Sequence, residues 1–375
     1  PSQAKPSQAK PSQAKPSQAK PPSGDRALIR AKSAKQDEFY TQLADIENEL
    51  RHYKDQLRGK VILCNCDDPY ESNFFKYFAL SFNNLGLKKL IATSYKKSPI
   101  VGGQLPLCSI QGLKPEGWEP YAIEINEVRD VNGDGSTGLA DVEYLLKHNA
   151  NTARALQGDE TYNGGDFRSR ECVELLKQAD VVVTNPPFSL FREFVELLVE
   201  HGKQFLIIGN KNSITYKEIF RLIQGNKLRT GYRNINSDMW FEVPDGAQFE
   251  KIENGKKVKH IMAIWLTTLE VAKHSEMMTL YKKFTPSEYF AYDNYDAIEV
   301  SKVAEIPADY SGAMGVPITF IDKHNPAQFE ILGLAASAGY DAEIVGLEKF
   351  SEFKDARPLI DGQNTYARIF IKRRG

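Results

Sequence analysis

The 375-residue chain has no apolar run long enough to cross a membrane, and its polar amino terminus lacks the apolar core of a signal peptide. It has four cysteines, Cys64, Cys66, Cys108 and Cys172, whose spacing does not match a zinc site. We therefore expect reduced thiols in a cytoplasmic protein with no membrane partner. The chain also lacks a glycine-rich loop after its first predicted strand, which argues against the usual phosphate-binding turn of a dinucleotide fold.

Positive charge is not in overall excess, because the formal net charge is -1 at pH 7. A hydrophobic share of 41% and a charged share of 26% are typical of a soluble globular protein. Residues 1–35 differ: they begin with four copies of Pro-Ser-Gln-Ala-Lys and hold eight Lys/Arg and one acidic residue. The repeats contain no apolar side chain larger than alanine, so we predict a disordered basic tail.

Predicted strands and helices alternate between about residue 36 and residue 272. Apolar runs predict strands at 59–66, 90–94, 181–183 and 205–209, and amphipathic spacing predicts helices at 35–57 and 216–223. Two β-rich stretches, 239–243 and 260–266, with turn residues between them, predict a closing antiparallel hairpin. This order favours a doubly wound α/β sheet with a reversed final strand. The aromatic and Pro/Gly-rich segment 273–375 predicts a second domain.

The most informative segment is Asn185-Pro186-Pro187-Phe188, which follows an apolar run and precedes a helix-forming pattern. It is therefore predicted at the carboxyl end of a strand, where α/β sheets bind ligands. Its two prolines make the turn stiff. The amide oxygen of Asn185 and the carbonyl of Pro186 can accept hydrogen bonds from an amino group, and the Phe188 ring can stack on a flat ligand. The alternative is an ordinary turn at a strand end.

A second polar segment follows the first predicted strand. Asp67, Asp68 and Pro69 lead to Ser72 and Asn73 at a helix start. One of the two carboxylates could bind an amine, and Ser72 or Asn73 could bind a carboxylate. An ordinary helix cap, Asp with Ser, explains the same residues.

Two more segments favour a ligand that carries an aromatic ring. Gly165-Asp166-Phe167 precedes a short helix and lies one strand–helix unit before Asn185. Asp166 can accept a hydrogen bond from a ring amino group while Phe167 flanks the ring. Phe39-Tyr40-Thr41 lies near the start of the predicted domain, where it could fold back over the same ligand.

Asn185 to Phe188 resembles the Asp/Asn-Pro-Pro-Tyr/Phe motif of methyltransferases that modify exocyclic amines with S-adenosylmethionine. Residues 64–78, and 314–320 with Asn325-Pro326, resemble more closely the EcoRI-type adenine-specific DNA methyltransferase family, from about residue 36 to the end. The resemblance implies a Rossmann-like class I methyltransferase sheet with a reversed final strand in residues 36–272. It also implies a smaller carboxy-terminal target-recognition domain in residues 273–375, double-stranded DNA as partner, and no obligate protein partner.

The same resemblance implies roles for individual residues. Catalysis would rest on Asn185, Pro186, Pro187 and Phe188. Cofactor contacts would come from Phe39, Tyr40, Thr41, Asp67, Asp68, Pro69, Ser72, Asp166 and Phe167. The acidic residue that many methyltransferases use to bind ribose hydroxyls is absent, because Thr93-Ser94-Tyr95-Lys96 stands there. DNA contacts would come from the second domain together with Arg229, Tyr232, Arg233 and Asn234.

The segment from Asp130 to Asp141 matches the spacing of a calcium-binding loop, with a turn-forming glycine in its middle. The predicted ligands are Asp130, Asn132, Asp134, Ser136 and Asp141. Aspartate rather than glutamate at the last position should weaken binding, and a surface turn rich in Asx and glycine explains the same residues. The prediction is a structural Ca²⁺ with no part in the reaction.

Three functions are open at this point. The first is site-specific methylation of adenine N6 in DNA, of the restriction-modification or the orphan/phage type. The second keeps the fold but transfers the methyl group to RNA or to a protein glutamine. The third is a non-catalytic DNA-binding module or a calcium-dependent interaction protein. The long segment after residue 272 favours DNA, and the intact Asn185 to Phe188 motif argues against the third function.

Overall fold

The computed structural model describes residues 40–66, 69, 72–95, 120–148, 153–243, 247–336 and 356–375. The predicted basic tail, Phe39, Asp67 and Asp68 lie outside these described residues. Within the described part of the chain, no helix has the length and apolar character needed to span a membrane.

Strands and helices alternate through much of the described chain, as the apolar spacing predicts. The strands are β1 (Tyr40–Thr41), β2 (Val61–Cys64), β3 (Lys89–Thr93), β4 (Tyr121–Ile125), β5 (Ala153–Ala155), β6 (Val181–Thr184), β7 (Gln204–Asn210), β8 (Arg229–Thr230), β9 (Met239–Glu242), β10 (Lys251–Glu253), β11 (Lys256–Ile261), β12 (Ala263–Thr267), β13 (Ile298–Glu299), β14 (Met314–Pro317), β15 (Phe329–Ala335), β16 (Leu359–Ile360), β17 (Gln363–Asn364) and β18 (Arg368–Arg373). The helices are α1 (Leu43–Leu50), α2 (Lys54–Leu57), α3 (Asn73–Leu80), α4 (Phe82–Leu85), α5 (Leu139–His148), α6 (Arg170–Gln178), α7 (Phe191–Glu200) and α8 (Lys217–Gln224).

The largest sheet is mixed, and its centre is built from apolar, largely β-branched strands. Among the described residues it has eight strands in the order β5-β4-β3-β2-β6-β7-β12-β8. β3, β2, β6 and β7 are parallel to one another, and β12 runs antiparallel to β7, in agreement with the predicted reversed strand. β4 and β5 are also antiparallel to their neighbours, so the opposite edge departs from a purely parallel arrangement. The fold is mixed α/β.

Helices cover both faces of this sheet. Successive side chains of a strand point to opposite faces. In β2, Val61 and Leu63 accordingly join one apolar cluster, whereas Ile62 and Cys64 join another. α6, α7 and α8 pack into the first cluster, and α1, α3 and α4 pack into the second. Each fully buried Phe or Leu side chain contributes about 1.5–3 kcal/mol, so these two layers hold the strand ends in fixed positions.

One predicted strand is divided between two sheets. Within 260–266, β11 ends at Ile261 in a small antiparallel sheet of order β1-β9-β11-β10, and β12 begins at Ala263 in the large sheet. The change occurs at the exposed Met262. β11 pairs antiparallel with β9, with His260 opposite Trp240 and Ile261 opposite Met239, so the predicted antiparallel pairing is confirmed for the start of the run. The remainder of the run, in β12, pairs with β7 and β8 instead. The residues on both sides of Met262 are largely apolar and partly or fully buried, so the composition of the run does not predict the division into two strands.

The predicted helix at 35–57 is also divided, into α1 and α2, and Tyr40–Thr41 is a strand that pairs with β9. This pairing with a strand distant in sequence outweighs the local helical pattern. The buried carboxylate of Glu49 accepts hydrogen bonds from the Tyr53 hydroxyl (2.8 Å) and the Tyr232 amide (2.6 Å). These bonds tie the end of α1 to the segment after β8.

The segment after residue 272 packs directly against the large sheet. It contains a four-stranded sheet of order β13-β14-β18-β15. Met314 and Ile371 of that sheet belong to the same apolar cluster as Val61 of β2. The side-chain amide of Gln224 in α8 donates to the carbonyl of Leu332 in β15 (2.9 Å). The core therefore continues across residue 272, and a separate recognition domain in 273–375 stays a prediction.

Two histidines are buried at this junction. Nδ1 of His274 lies 2.9 Å from the carbonyl oxygen of His324, and Nε2 lies 3.0 Å from that of Thr230. Nε2 of His324 lies 3.1 Å from the carbonyl oxygen of Phe329. Burial lowers the pKa of His324 to about 4, although the contact with Phe329 opposes the shift. His324 is therefore neutral at pH 7.

Candidate active site

The parallel strands of the large sheet end at one edge, and several predicted site residues lie along it. β2, β6 and β7 run side by side, with Leu63 opposite Val182 and Val182 opposite Phe205. The hydroxyl of Thr184, the last residue of β6, donates a hydrogen bond to the carbonyl of Asn65, just after β2. This bond fastens the two strand ends together, so the loops that follow them are adjacent.

Asn185 to Phe188 form the turn that leaves β6. Asn185 (8% exposed) and Pro186 are buried, whereas Pro187 and Phe188 are half-buried. The amide of Leu190 donates to the carbonyl of Pro187 (3.0 Å), which closes a 3-10 turn before α7 begins. The predicted strand, stiff turn and helix are therefore present in this order.

A glycine sets where α7 begins. The ring of Phe191, the first residue of α7, lies so close to Gly209 in β7 that an added Cβ would come within 2.7 Å of it. A larger residue at position 209 would push the helix start away from the sheet. Gly209 therefore helps to fix the turn formed by Asn185 to Phe188.

Two further glycines bring Asp166 to the end of β3. A Cβ on Gly165 would lie 1.9 Å from the carbonyl oxygen of Ser94, and Gly165 has φ +77°. A Cβ on Gly164 would lie 2.2 Å from the carbonyl oxygen of Leu156. Only glycine permits this approach, so the segment seats Asp166 beside the residues that follow β3.

The Asp166 carboxylate (residue 7% exposed) is bound by Arg168. Oδ1 accepts hydrogen bonds from the backbone amide (2.9 Å) and Nε (3.0 Å) of Arg168, and Oδ2 accepts from Nη2 (2.9 Å). Phe167 is buried in an edge-to-face contact with Phe194 of α7, with ring centroids 5.1 Å apart. The loop that carries Asp166 thus packs on the helix that follows Asn185 to Phe188.

Comparison with known proteins identifies the family. The family model described as adenine-specific methyltransferase EcoRI matches residues 27–374. The chain belongs to this family. The predicted family is thereby confirmed, and so is the predicted activity, that of an adenine-specific DNA methyltransferase that uses S-adenosylmethionine.

Relatives in this methyltransferase family match almost the whole chain. The type II methyltransferase M.EcoRI of Escherichia coli is 41% identical over 362 residues, which cover 93% of this chain and 96% of the relative. The type II methyltransferase M.MpnI of Mycoplasma pneumoniae is 36% identical over 358 residues, which cover 92% of this chain and 97% of the relative. No solved structure matches the chain.

The start of α3 lies at the same edge of the methyltransferase. Ser72 is the helix cap, and its hydroxyl accepts hydrogen bonds from the amides of Phe74 (3.2 Å) and Phe75 (3.3 Å). The side-chain amide of Asn73 donates to the carbonyl of Thr41 (2.8 Å). This bond places β1, which contains Tyr40 and Thr41, against the start of the helix.

Several buried polar atoms at this edge bond to none of the described residues. They are Oδ1 of Asn65, directly after β2, Oγ1 of Thr93, at the end of β3, and Oγ1 of Thr41. Leaving such a group unpaired costs about 1–3 kcal/mol, so three of them at one edge fit a ligand that supplies the missing partners. S-adenosylmethionine carries an ammonium group and ribose hydroxyls that can do so.

Asn65 was not among the predicted site residues, although a polar side chain directly after an apolar strand is the signal that would have found it. Cys66 follows with φ +83°, in the left-handed region that a residue with a Cβ rarely adopts. Backbone strain of this kind is concentrated at ligand sites. Pro69, in the same turn, is buried.

The predicted calcium loop pairs its oxygens with its own backbone amides. Asp130 accepts from Gly133 and Gly135, Asn132 from Asp134, Asp134 from Ser136, and Asp141 from Val131 and Gly138, all at 2.7–3.0 Å. In the part of the chain that the structure describes, no three His, Cys, Asp or Glu side chains are grouped to hold a metal. The geometry therefore gives no support to the calcium prediction.

Three of the predicted DNA contacts are engaged within the protein. Arg233 forms an ion pair with Asp45 of α1, and Arg229 forms one with Glu270 (2.8 Å). Tyr232 stacks on His52, with ring centroids 4.0 Å apart. These side chains fix the segment after β8 to the body of the methyltransferase.

Proposed function

We propose that this methyltransferase transfers the methyl group of S-adenosylmethionine to N6 of an adenine flipped out of double-stranded DNA. The observation that carries the proposal is the position of Asn185 to Phe188. They form a stiff turn at the carboxyl edge of the sheet, fastened to the end of β2 and packed close to the Asp166 loop. A paired adenine hides its amino group in the duplex, so the target base must leave the stack before it can reach this turn.

Asn185 and Pro186 would hold the acceptor nitrogen. The amide oxygen of Asn185 and the carbonyl of Pro186 can accept the two amino hydrogens of adenine. As the nitrogen becomes tetrahedral, positive charge develops on it, and both acceptors then bind it more strongly than in the ground state. The Phe188 ring would stack on the flipped base. When bound, S-adenosylmethionine supplies an electrophilic methyl group, and the methylated nitrogen afterwards loses one proton to solvent.

The cofactor would lie between the ends of β2 and β3, with its adenine toward the Asp166 loop. We assign the adenine amino group to Asp166 and the neighbouring apolar surface to Phe167. Asp67 or Asp68, with Pro69 beside them, would receive the amino-acid amine next to the capped start of α3 at Ser72. Phe39, Tyr40 and Thr41 would cover the cofactor, and the hydrogen bond from Asn73 to Thr41 supports this placement.

The finer features of the fold belong to the same proposal. Residues 36–272 would form a Rossmann-like class I methyltransferase domain, which the antiparallel β12 beside β7 supports. Residues 273–375 would contribute most of the recognition of the DNA target. The enzyme would act in a restriction-modification system or as an orphan or phage methyltransferase.

Labelled methyl transfer tests the proposal directly. Purified protein is incubated with methyl-labelled S-adenosylmethionine and duplex DNA of mixed sequence, and the nucleosides are separated afterwards. We expect label in N6-methyladenine, incorporated about 100- to 1,000-fold more slowly when Asn185 is replaced by alanine. Label in RNA or in a protein glutamine, but not in DNA, would contradict the proposed acceptor.

A further inference from the structure

Arg168 lies between the Asp166 loop and α7, the helix that follows the turn formed by Asn185 to Phe188. One side of its guanidinium binds both carboxylate oxygens of Asp166. On the other side, Nη1 donates to Oε2 of Glu193 in α7 (2.7 Å). The side chain is 27% exposed, so solvent screens these ion pairs only in part.

Aromatic rings restrict the orientation of this guanidinium. Its central carbon lies 4.7 Å from the ring centroid of Tyr162 and 5.2 Å from that of Phe167. Arginine presents its donors in a rigid planar fork, so a guanidinium held against two rings can point toward two carboxylates at fixed angles. The hydrogen bond to Asp166 raises the pKa of Arg168, so the group stays charged.

Among the described residues, the donors to the Asp166 carboxylate leave one acceptor position for a further donor. A carboxylate offers about four acceptor positions. Arg168 fills three of them, two at Oδ1 and one at Oδ2. The remaining position is on Oδ2, and the bonds from Arg168 set its direction. An amino group bound there would be aligned by Arg168 without touching it.

The second ion pair of Arg168 lies close in sequence to the turn formed by Asn185 to Phe188. Glu193 is the third residue of α7, which begins immediately after the 3-10 turn at Phe188–Leu190. Arg168 therefore holds the first turn of α7 together with Phe191, which packs closely against Gly209 of β7.

We propose that Arg168 is a positioning residue that orients the Asp166 carboxylate toward the cofactor and ties that loop, through Glu193, to the turn formed by Asn185 to Phe188. The proposal rests on the assignment of Asp166 to the cofactor site under the proposed function. Arg168 itself touches neither substrate. Its two contacts act on different quantities: the Asp166 contact on cofactor affinity, and the Glu193 contact on the rate of transfer.

Four full-length variants test the two contacts separately. Arg168→Met removes both contacts, Arg168→Lys keeps the charge but not the fork, and Glu193→Gln removes the negative charge of the partner in α7 while leaving Asp166 unchanged. Glu196→Gln, an exposed position one turn further along α7, is the matched control for Glu193→Gln. Binding of S-adenosylhomocysteine is measured by calorimetry, kcat and KM by methyl transfer to DNA, and folding by thermal unfolding.

We expect Arg168→Met to weaken S-adenosylhomocysteine binding by about tenfold or more, the effect of losing charge-assisted hydrogen bonds. Arg168→Lys should recover part of this loss because it can still pair with Asp166. Glu193→Gln should leave binding within about twofold of the wild type and lower kcat by about threefold to tenfold. Glu196→Gln should change neither.

Two results would overturn the proposal. One is unchanged S-adenosylhomocysteine binding in Arg168→Met. The other is a uniform loss of folded protein in Arg168→Met and Arg168→Lys with unaltered binding by the folded fraction, which would indicate a structural role only. The proposed function is tested separately, because a wild type that binds S-adenosylhomocysteine but methylates no DNA adenine contradicts the acceptor while the binding data still decide the role of Arg168.

Discussion

The loop from Asp130 to Asp141 and the carboxyl edge of the large sheet are both rich in polar side chains, but they use them in opposite ways. In the loop, the side-chain oxygens accept hydrogen bonds from the loop's own amides. At the sheet edge, Asn65, Thr93 and Thr41 each keep a buried polar atom that bonds to no described residue.

This difference separates a local motif from a ligand site. Residue spacing selects both regions equally well, since each contains acids and amides in a suggestive order. The two regions are distinguished only by the structure, which shows which of their polar side-chain atoms have hydrogen-bond partners. A site for a ligand leaves hydrogen-bonding capacity unused at a cost in stability, whereas a structural turn uses its capacity internally.

The largest expected effect is at the turn formed by Asn185 to Phe188, which we propose to be catalytic. Asn185→Ala removes one of the two proposed acceptors for the target amino group. We expect kcat to fall by about 100- to 1,000-fold, the range seen when one electrostatic group of an active site is removed. Binding of S-adenosylhomocysteine should stay within about twofold of the wild type. Loss of cofactor binding together with kcat would place Asn185 in the cofactor site instead.

His324 offers an intermediate case, because its burial disfavours the charged imidazolium. The unfolded imidazole takes up a proton below its ordinary pKa of 6.5, whereas the folded one does so only near 4. The free energy of unfolding should therefore fall as the pH is lowered from about 6.5 to about 4. The shift corresponds to a loss on the order of 3 kcal/mol.

Chemical unfolding at several pH values measures this slope. His324→Asn, which keeps a side-chain donor but does not titrate, should flatten it between pH 6.5 and pH 4. His148→Gln, at an exposed position on α5, should not. Identical slopes in all three proteins would show that other groups cause the acid sensitivity.

We expect smaller effects on stability and ligand binding when one polar group is replaced at the carboxyl edge of the sheet or in the loop from Asp130 to Asp141. Thr93→Val removes a buried hydroxyl without changing shape, so the unliganded protein should be as stable as the wild type or more stable, while S-adenosylhomocysteine binds about threefold to tenfold more weakly. Asp141→Asn should instead lower the stability of the unliganded protein and leave S-adenosylhomocysteine binding unchanged. The reason is that hydrogen bonds from the Gly138 and Val131 amides lower the pKa of this carboxyl and favour its charged form.

Thermal unfolding with and without S-adenosylhomocysteine measures both halves of that prediction. Asp141→Asn should lower the melting temperature of the unliganded protein and leave the stabilisation by ligand unchanged. If Thr93→Val instead lowers the unliganded melting temperature, its hydroxyl has a structural partner, and the contrast between the two regions fails.

The smallest expected effect is that of calcium. A loop that pairs its own oxygens should need no ion, so neither a chelator nor millimolar calcium should move the melting temperature by more than about 1 °C. A rise of several degrees with calcium, absent in Asp130→Asn, would show that the ion competes with the backbone amides and would restore the predicted metal site.

Much of the fold could be predicted because the signals are local. Val61–Cys64 and Val181–Thr184 are apolar along their length, and the helices after them have regular apolar spacing. The errors arise where distant pairing decides the outcome. Tyr40–Thr41 is a strand because β9 lies beside it, and the run at 260–266 divides at Met262 because two sheets compete for it.

In the candidate site, too, the features set by local sequence could be predicted and those set by distant contacts could not. The turn at Asn185 to Phe188 could be predicted, because its prolines and the flanking strand and helix are contiguous in sequence. The bond from Arg168 to Asp166 could not, because it depends on the left-handed Gly165 and on its close approach to Ser94. Asp67, Asp68 and Phe39 lie outside the described residues, so their roles stay predictions.

The apolar cluster shared by β2 and the carboxy-terminal sheet limits how such enzymes can exchange specificity. A chimera joined at residue 272 would combine Met314 and Ile371 from one parent with the part of the same apolar cluster that contains Val61 and Leu63 from the other. Mismatched cores of this kind lose stability through cavities or overpacking. Under the proposed role of residues 273–375 in target recognition, we therefore expect new target preferences to be acquired more readily by substitution at exposed positions of this segment than by transfer of the whole segment.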